Sequence, residues 1–128
     1  MKVKGDLSVC GDIVFMYAGS IKFNSTGAST GVKLCELPAN VVITKATAVV
    51  KTAFNAGTTN VLTVGTNDNV DDILGTSDIT EGTAGVYAVN KFVEYTAKKT
   101  VKAKFTETGT AATTGEAEIY LEVVRIPE

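Results

Sequence analysis

The chain has 128 residues, 45% of them apolar, and a formal net charge of −2, which suits a single domain with one core. A slightly acidic chain with scattered lysines has no general attraction for phosphate backbones, so nucleic acid is not an expected partner. Histidine is absent, which removes Ser-His-Asp and Cys-His nucleophile activation, HExxH metal sites and most proton shuttles.

No apolar run approaches the roughly 18 residues of a membrane helix, the longest being Ile13 to Ala18. Asp6 and Gly11 interrupt any leader-like apolar region, so neither membrane nor secretory leader is expected. Threonine occurs nineteen times and valine seventeen times. Their branched β-carbons suit pleated strands, and the all-β reading follows.

The chain opens on a repeat. Gly5-Asp6-Leu7-Ser8-Val9 is followed by Gly11-Asp12-Ile13-Val14-Phe15 and, more loosely, by Gly19-Ser20-Ile21-Lys22-Phe23. Such hexads suit a β-helix, but three copies make about one coil, and stacked units need about three layers to bury a core. Alone, the segment leaves Leu7, Val9, Ile13, Phe15, Ile21 and Phe23 wet. Other copies winding round a threefold axis would cover them, which makes these six the candidate oligomer interface and the protein a homotrimer. The competing reading makes the same residues two antiparallel strands of the main domain, with Gly11 and Gly19 as turns.

Residues 24–31, NSTGASTG, have linker character. They divide an N-terminal β arm, 1–30, for oligomerisation or docking, from a β-sandwich of jelly-roll or Greek-key type, 31–128. In the sandwich, Val42, Ala46, Ala48, Val50 and Phe54 form the apolar side of a long strand over 41–54, opposite Lys45, Thr47 and Lys51. Short strands are expected at 61–64, 86–89 and 92–95.

Between them, Asn67, Asn69, Asp71 and Asp78 invite a calcium reading. The window lacks the glycine, the final glutamate and the flanking helices of an EF-hand, and is read as an exposed loop with a helical turn at 71–74.

Val101, Ala103 and Phe105 alternate with Lys102 and Lys104; Ala117, Ile119, Leu121 and Val123 alternate with Glu116, Glu118 and Glu122. Joined through residues 108–115, the two segments predict an antiparallel pair. Phe105 then faces Ala117, and Lys104 faces Glu118 on the solvent side. The lysines are thus neither an anion site nor, with the glutamates pointing outward, is there a glycosidase acid pair. Most aromatic residues fall at core parity, while Tyr17 and Tyr87, near glycines, are candidates for an exposed patch. Cys10 and Cys35 match no metal or redox spacing and are expected to be reduced and buried. No metal, cofactor or catalytic residue is assigned.

Residues 5–27, GDLSVCGDIVFMYAGSIKFNSTG, resemble the Gly-Asp-apolar segments of tailed-phage fibre and spike proteins. Residues 48–68, AVVKTAFNAGTTNVLTVGTND, and 94–124, EYTAKKTVKAKFTETGTAATTGEAEIYLEVV, resemble small all-β phage virion proteins. The resemblance carries over no functional residue. It implies a non-enzymatic structural protein of the virion, assembled in the bacterial cytoplasm: a trimeric capsid decoration or cement protein, or a head fibre, with the major capsid protein or other virion proteins as partners. The alternative is a tail-fibre or carbohydrate-binding module that recognises the host surface.

Overall fold

The computed structural model describes residues 12–67 and 71–126. Seven strands account for most of them: β1 Asp12–Lys22, β2 Val32–Leu37, β3 Val41–Thr52, β4 Thr59–Thr66, β5 Gly85–Tyr95, β6 Lys99–Thr108 and β7 Glu116–Arg125. All pair antiparallel, in a large sheet ordered β1-β7-β3-β5 and a small sheet ordered β2-β6-β4. Every connection changes sheets, and the alternating apolar residues of both sheets meet between them.

The order is that of a jelly roll, in which eight strands make two sheets of four. The eighth place, at the free edge of β4, is held by a single bridge between Val64 and Leu74. The bridge is closed both ways, Val64 N–H to Leu74 O at 3.0 Å and Leu74 N–H to Val64 O at 2.8 Å. Further along that edge the Leu62 N–H donates to Glu81 Oε2 at 2.8 Å, and Glu81 is itself buried. Ile73, Leu74 and Ile79 join the core, so the segment blunts an edge that would otherwise be open to pairing. The helical turn expected at 71–74 is replaced by this bridge.

The two late segments expected to pair lie in different sheets. β6 pairs with β2 and β4, whereas β7 pairs with β1 and β3. Phe105, Ala103 and Val101 do share a core with Ala117, Ile119 and Leu121, but across the sandwich and not along one ladder. The loop at 109–115 is a crossover. Lys104 accordingly stands opposite Thr63, and Lys102 opposite Gly65 and Lys33, so neither faces a glutamate.

Bulges account for further departures. In β3 the register shifts between Ile43 and Lys45, so Val41 and Ile43 face the core on one side of Thr44, and Ala46, Ala48 and Val50 on the other. Val42 is buried outside that core, between Val124 and Glu94. The strands expected at 86–89 and 92–95 are one, since β5 alternates between half-buried and exposed without a break.

The expected boundary at residue 30 is not a boundary of the fold. Residues 12–22 form one strand, β1, zipped to β7 over its whole length, so Gly19 sits at a bulge inside the strand and is not the turn between two strands that the competing reading expected; Gly11 lies outside the described residues. Residues 24–31 are the crossover to β2, in which Ala28 is buried and accepts the Phe105 N–H at 2.8 Å. A bulge between Tyr17 and Gly19 turns Ile21 into the core, where it is 1% exposed, and Phe23 packs partly against it.

Candidate assembly surface

The large sheet has an outer face that is apolar at one end. On β1, Val14 and Met16 lie opposite Val123 and Leu121 and point inward, which sends Ile13, Phe15 and Tyr17 outward at 72%, 65% and 54% exposure. Phe15 and Tyr17 both meet Tyr120 of β7, Phe15 in a stack with centroids 6.1 Å apart and Tyr17 tilted at 5.4 Å. The Tyr120 hydroxyl donates to Glu118 Oε1 at 3.1 Å, and that carboxylate raises the phenol's pKa. Glu118 also lies 3.7 Å from the Lys51 ammonium.

Further apolar residues recur across the sheet, beside Glu122, which stands opposite Phe15. Ile13 stands opposite Val124, Val124 opposite Val42, and on β5 Phe92 is 81% exposed. Around the rim, a slot of about 160 Å³ opens between the sheets, lined by Val14, Met16, Leu37, Pro38, Val41 and Val123, with Glu36 and Arg125 at its mouth. Large exposed apolar side chains on one sheet face mark a candidate interaction surface. β1 is also an edge strand of eleven residues with no strand beyond it among the described residues.

The opposite end is polar and closed. Asn55 Oδ1 accepts the N–H groups of Thr113 and Thr114, and the Gly57 N–H donates to Thr110 O. These bonds tie the β3–β4 and β6–β7 crossovers together. Beside them, Phe23, Ser25, Ser29, Phe105, Thr106 and Glu107 line an open cavity of about 350 Å³.

The outer face of the small sheet is basic. Lys33, Lys98, Lys102 and Lys104 share it with Glu36, which bridges Lys33 and Lys98 at 2.9 Å each and is drawn down to about 2 by those two hydrogen bonds.

Of the six residues proposed from the repeats, Ile13 and Phe15 therefore lie bare on the surface, Ile21 is core and Phe23 half-buried. Leu7 and Val9 lie outside the described residues. Tyr17 is on the exposed patch; Tyr87 instead packs against the core and donates to Thr83 O at 2.6 Å. Sequence reasoning missed Phe92, Val86 and Tyr120. The available signal was that residues 86–93, VYAVNKFV, carry apolar groups at both parities, so one set must face outward.

In the candidate calcium window, Asn67 Oδ1 accepts the Thr100 N–H, Asp78 Oδ2 the Gly75 N–H and Asp72 Oδ2 the Tyr95 hydroxyl. Each is used to hold its own loop. Asn69 lies outside the described residues. Cys35 is half-buried, and burial pushes its thiol pKa up, with Glu36 adding to the effect; Cys10 lies outside the described residues.

No protein-family model matches the sequence, and neither does any curated protein. Solved structures do match in fold. A chain of the capsid asymmetric unit of cyanophage Pam1 superposes with a TM-score of 0.69 at 18% identity, covering 90% of this chain and 86% of that one. A chain of the Ralstonia phage GP4 capsid gives 0.64 at 20% identity, covering 91% and 86%. One from the acid-stable capsid of Helicobacter pylori bacteriophage KHP30 gives 0.61 at 16%, covering 91% and 95%. This jelly roll is thus a fold found in phage capsid structures, matched over about nine-tenths of this chain.

Proposed function

We propose that the protein is a non-enzymatic structural component of a phage virion, a homotrimeric capsid decoration or cement protein, or head fibre, that binds the capsid lattice and stabilises it. The observation that carries the reading is the set of exposed or surface aromatic and apolar side chains on the outer face of the large sheet, Ile13, Phe15, Tyr17 and Tyr120 with Phe92 on the far edge strand, on a fold matched over most of its length by phage capsid chains. Glu116, Glu118 and Glu122 alternate with the core residues of β7 and lie on its outward side, away from the cavities among the described residues.

The mechanism is burial. Removing the exposed rings from water contributes roughly 25 cal/mol per Å². Three copies held together multiply a weak contact, because the second and third attachments are intramolecular. Assembly would take place in the host bacterial cytoplasm, with the major capsid protein or another virion protein as partner. The test is co-sedimentation with capsids lacking the protein: retention that saturates at a fixed copy number supports the reading, and protein left in the supernatant contradicts it.

A second reading, a tail-fibre or carbohydrate-binding module, draws on the cavity at the polar end, where Phe23 lies beside Ser25, Ser29, Thr106 and Glu107. Strong hits on a glycan array, lost in Glu107→Ala, would favour it.

A further inference from the structure

We infer that the outer face of the small sheet docks an acidic segment of a partner protein, with its carboxylates on Lys33, Lys102 and Lys104 and one aliphatic side chain in the slot beside Glu36. The inference deepens the virion reading and rests on it for the origin of the partner, while the surface itself is separate from the apolar face of the large sheet.

The face carries more positive charge than it neutralises. Lys33 stands directly opposite Lys102, a like-charge pair that costs a sheet stability. Lys104 follows two residues on, about 7 Å along the same strand, and stands opposite Thr63. Neither Lys102 nor Lys104 is in an ion pair among the described residues. Glu36, the acidic residue that shares the face, is already divided between Lys33 and Lys98 at 2.9 Å each. A central strand that sets lysine against lysine breaks the local rule of a stable sheet, as functional surfaces do. Carboxylates arriving from outside restore the balance.

The slot gives the segment an anchor. It holds about 160 Å³, with Met16, Leu37, Val41 and Val123 among its walls and Glu36 at its mouth. Lys33 lies three residues back from Glu36, roughly 10 Å along β2 at the rise of a strand. Because β2 is the edge strand of its sheet, the slot and the lysine face meet along it, and about three extended residues of a partner cover the distance.

Nucleic acid fits less well. The chain as a whole is negative, and the outward positions beside the lysines, Val61, Thr63, Thr100 and Thr106, offer no ring on which a base could stack. A second copy also fits less well, since its outward glutamates are engaged at home. Glu118 lies 3.7 Å from Lys51, Glu122 accepts the Thr44 hydroxyl at 2.8 Å, and Glu116 stands opposite Lys22.

The test titrates a synthetic peptide, one leucine followed by four glutamates, into the ¹⁵N-labelled full chain at low salt. The amides of residues 33, 36, 102 and 104 are expected to shift, and replacing the peptide's leucine by serine should weaken binding about tenfold. Lys102→Glu/Lys104→Glu is expected to abolish the shifts. Since the first change sets a carboxylate opposite Lys33, the urea midpoint should hold or rise, which separates lost docking from lost fold. Absence of shifts at these amides, or equal binding by the reversed variant, overturns the inference, and so does a DNA duplex of equal charge that binds more tightly than the peptide. On capsids lacking the protein, the reversed variant should lose retention about tenfold. Peptide binding without retention of the native chain removes the virion reading and leaves the acidic-segment surface; retention untouched by the reversal removes this inference alone.

Discussion

Phe15 and Tyr120 stack within 8° of parallel on the outer face of the large sheet, although 65% of Phe15 is in solvent. An offset pair of this kind is worth about 0.5–1.5 kcal/mol beyond burial, little for so large a solvent-facing group. Phe15→Ala is therefore expected to shift unfolding free energy by no more than about 1 kcal/mol, as read by urea denaturation. Retention on capsids or self-association should fall at least tenfold. A variant that unfolds easily but still attaches would assign Phe15 to the fold and not to a surface.

Gly115 has φ +145°, and a methyl group there would run into the Phe54 ring. That ring packs on Phe105 with centroids 4.6 Å apart at the closed end of the sandwich. Gly115→Ala combines a disfavoured backbone with an overfilled core, at a cost of about 2–4 kcal/mol. The urea midpoint checks it, and a loss below about 1 kcal/mol would mean that the crossover relaxes freely.

Glu81 stands where an eighth strand would donate and accept. Its carboxylate takes the Leu62 N–H, and its own carbonyl takes that of Phe54 at 2.9 Å. Glu81→Ala leaves the buried amide unpaired, costing about 1–3 kcal/mol. Hydrogen exchange at Leu62 should quicken more than at Phe105, the opposite residue on β6. Equal acceleration at both would show general loosening and not a lost edge contact.

Glu36 gives a pH signature on the basic face. Its folded pKa, about 2 against an ordinary 4.5, is lowered by hydrogen bonds from Lys33 and then Lys98. Because the folded value is depressed, the contribution to stability is present above about 4.5 and is lost as pH falls through about 2. The group is exposed, so salt and solvent keep that contribution small. Carboxyl NMR should show the low midpoint in the native chain and a rise toward 4.5 in Lys98→Ala; a midpoint unmoved by that change would remove Lys98 as a cause.

Alternation made the strands legible, and with them the fold class. Val101, Ala103 and Phe105, like Ala117, Ile119 and Leu121, are core residues as their spacing implies. Pairing was not legible, because an apolar face records that a strand is buried, not whether its counterpart lies beside it or across the core. Lys104 and Glu118 looked complementary and stand in different sheets. Bulges hid the rest: one extra residue at Thr44 put Val42 outside the core, and another near Ala18 put Ile21 inside it. The exposed surface was half legible. Ile13 and Phe15 emerged from the repeat, but Phe92 did not, since an outward phenylalanine in an apolar strand reads as core until the other parity is also seen to be filled.

The most direct test of the central claim is quantitative mass spectrometry of virus particles purified from a lysate of cells that produce this chain, calibrated against the major capsid protein. The virion reading expects the chain in intact particles at a fixed, symmetric ratio to the capsid subunit, in multiples of three for a trimer on the lattice. Particles that lack it, in a lysate where it is abundant, would contradict the account.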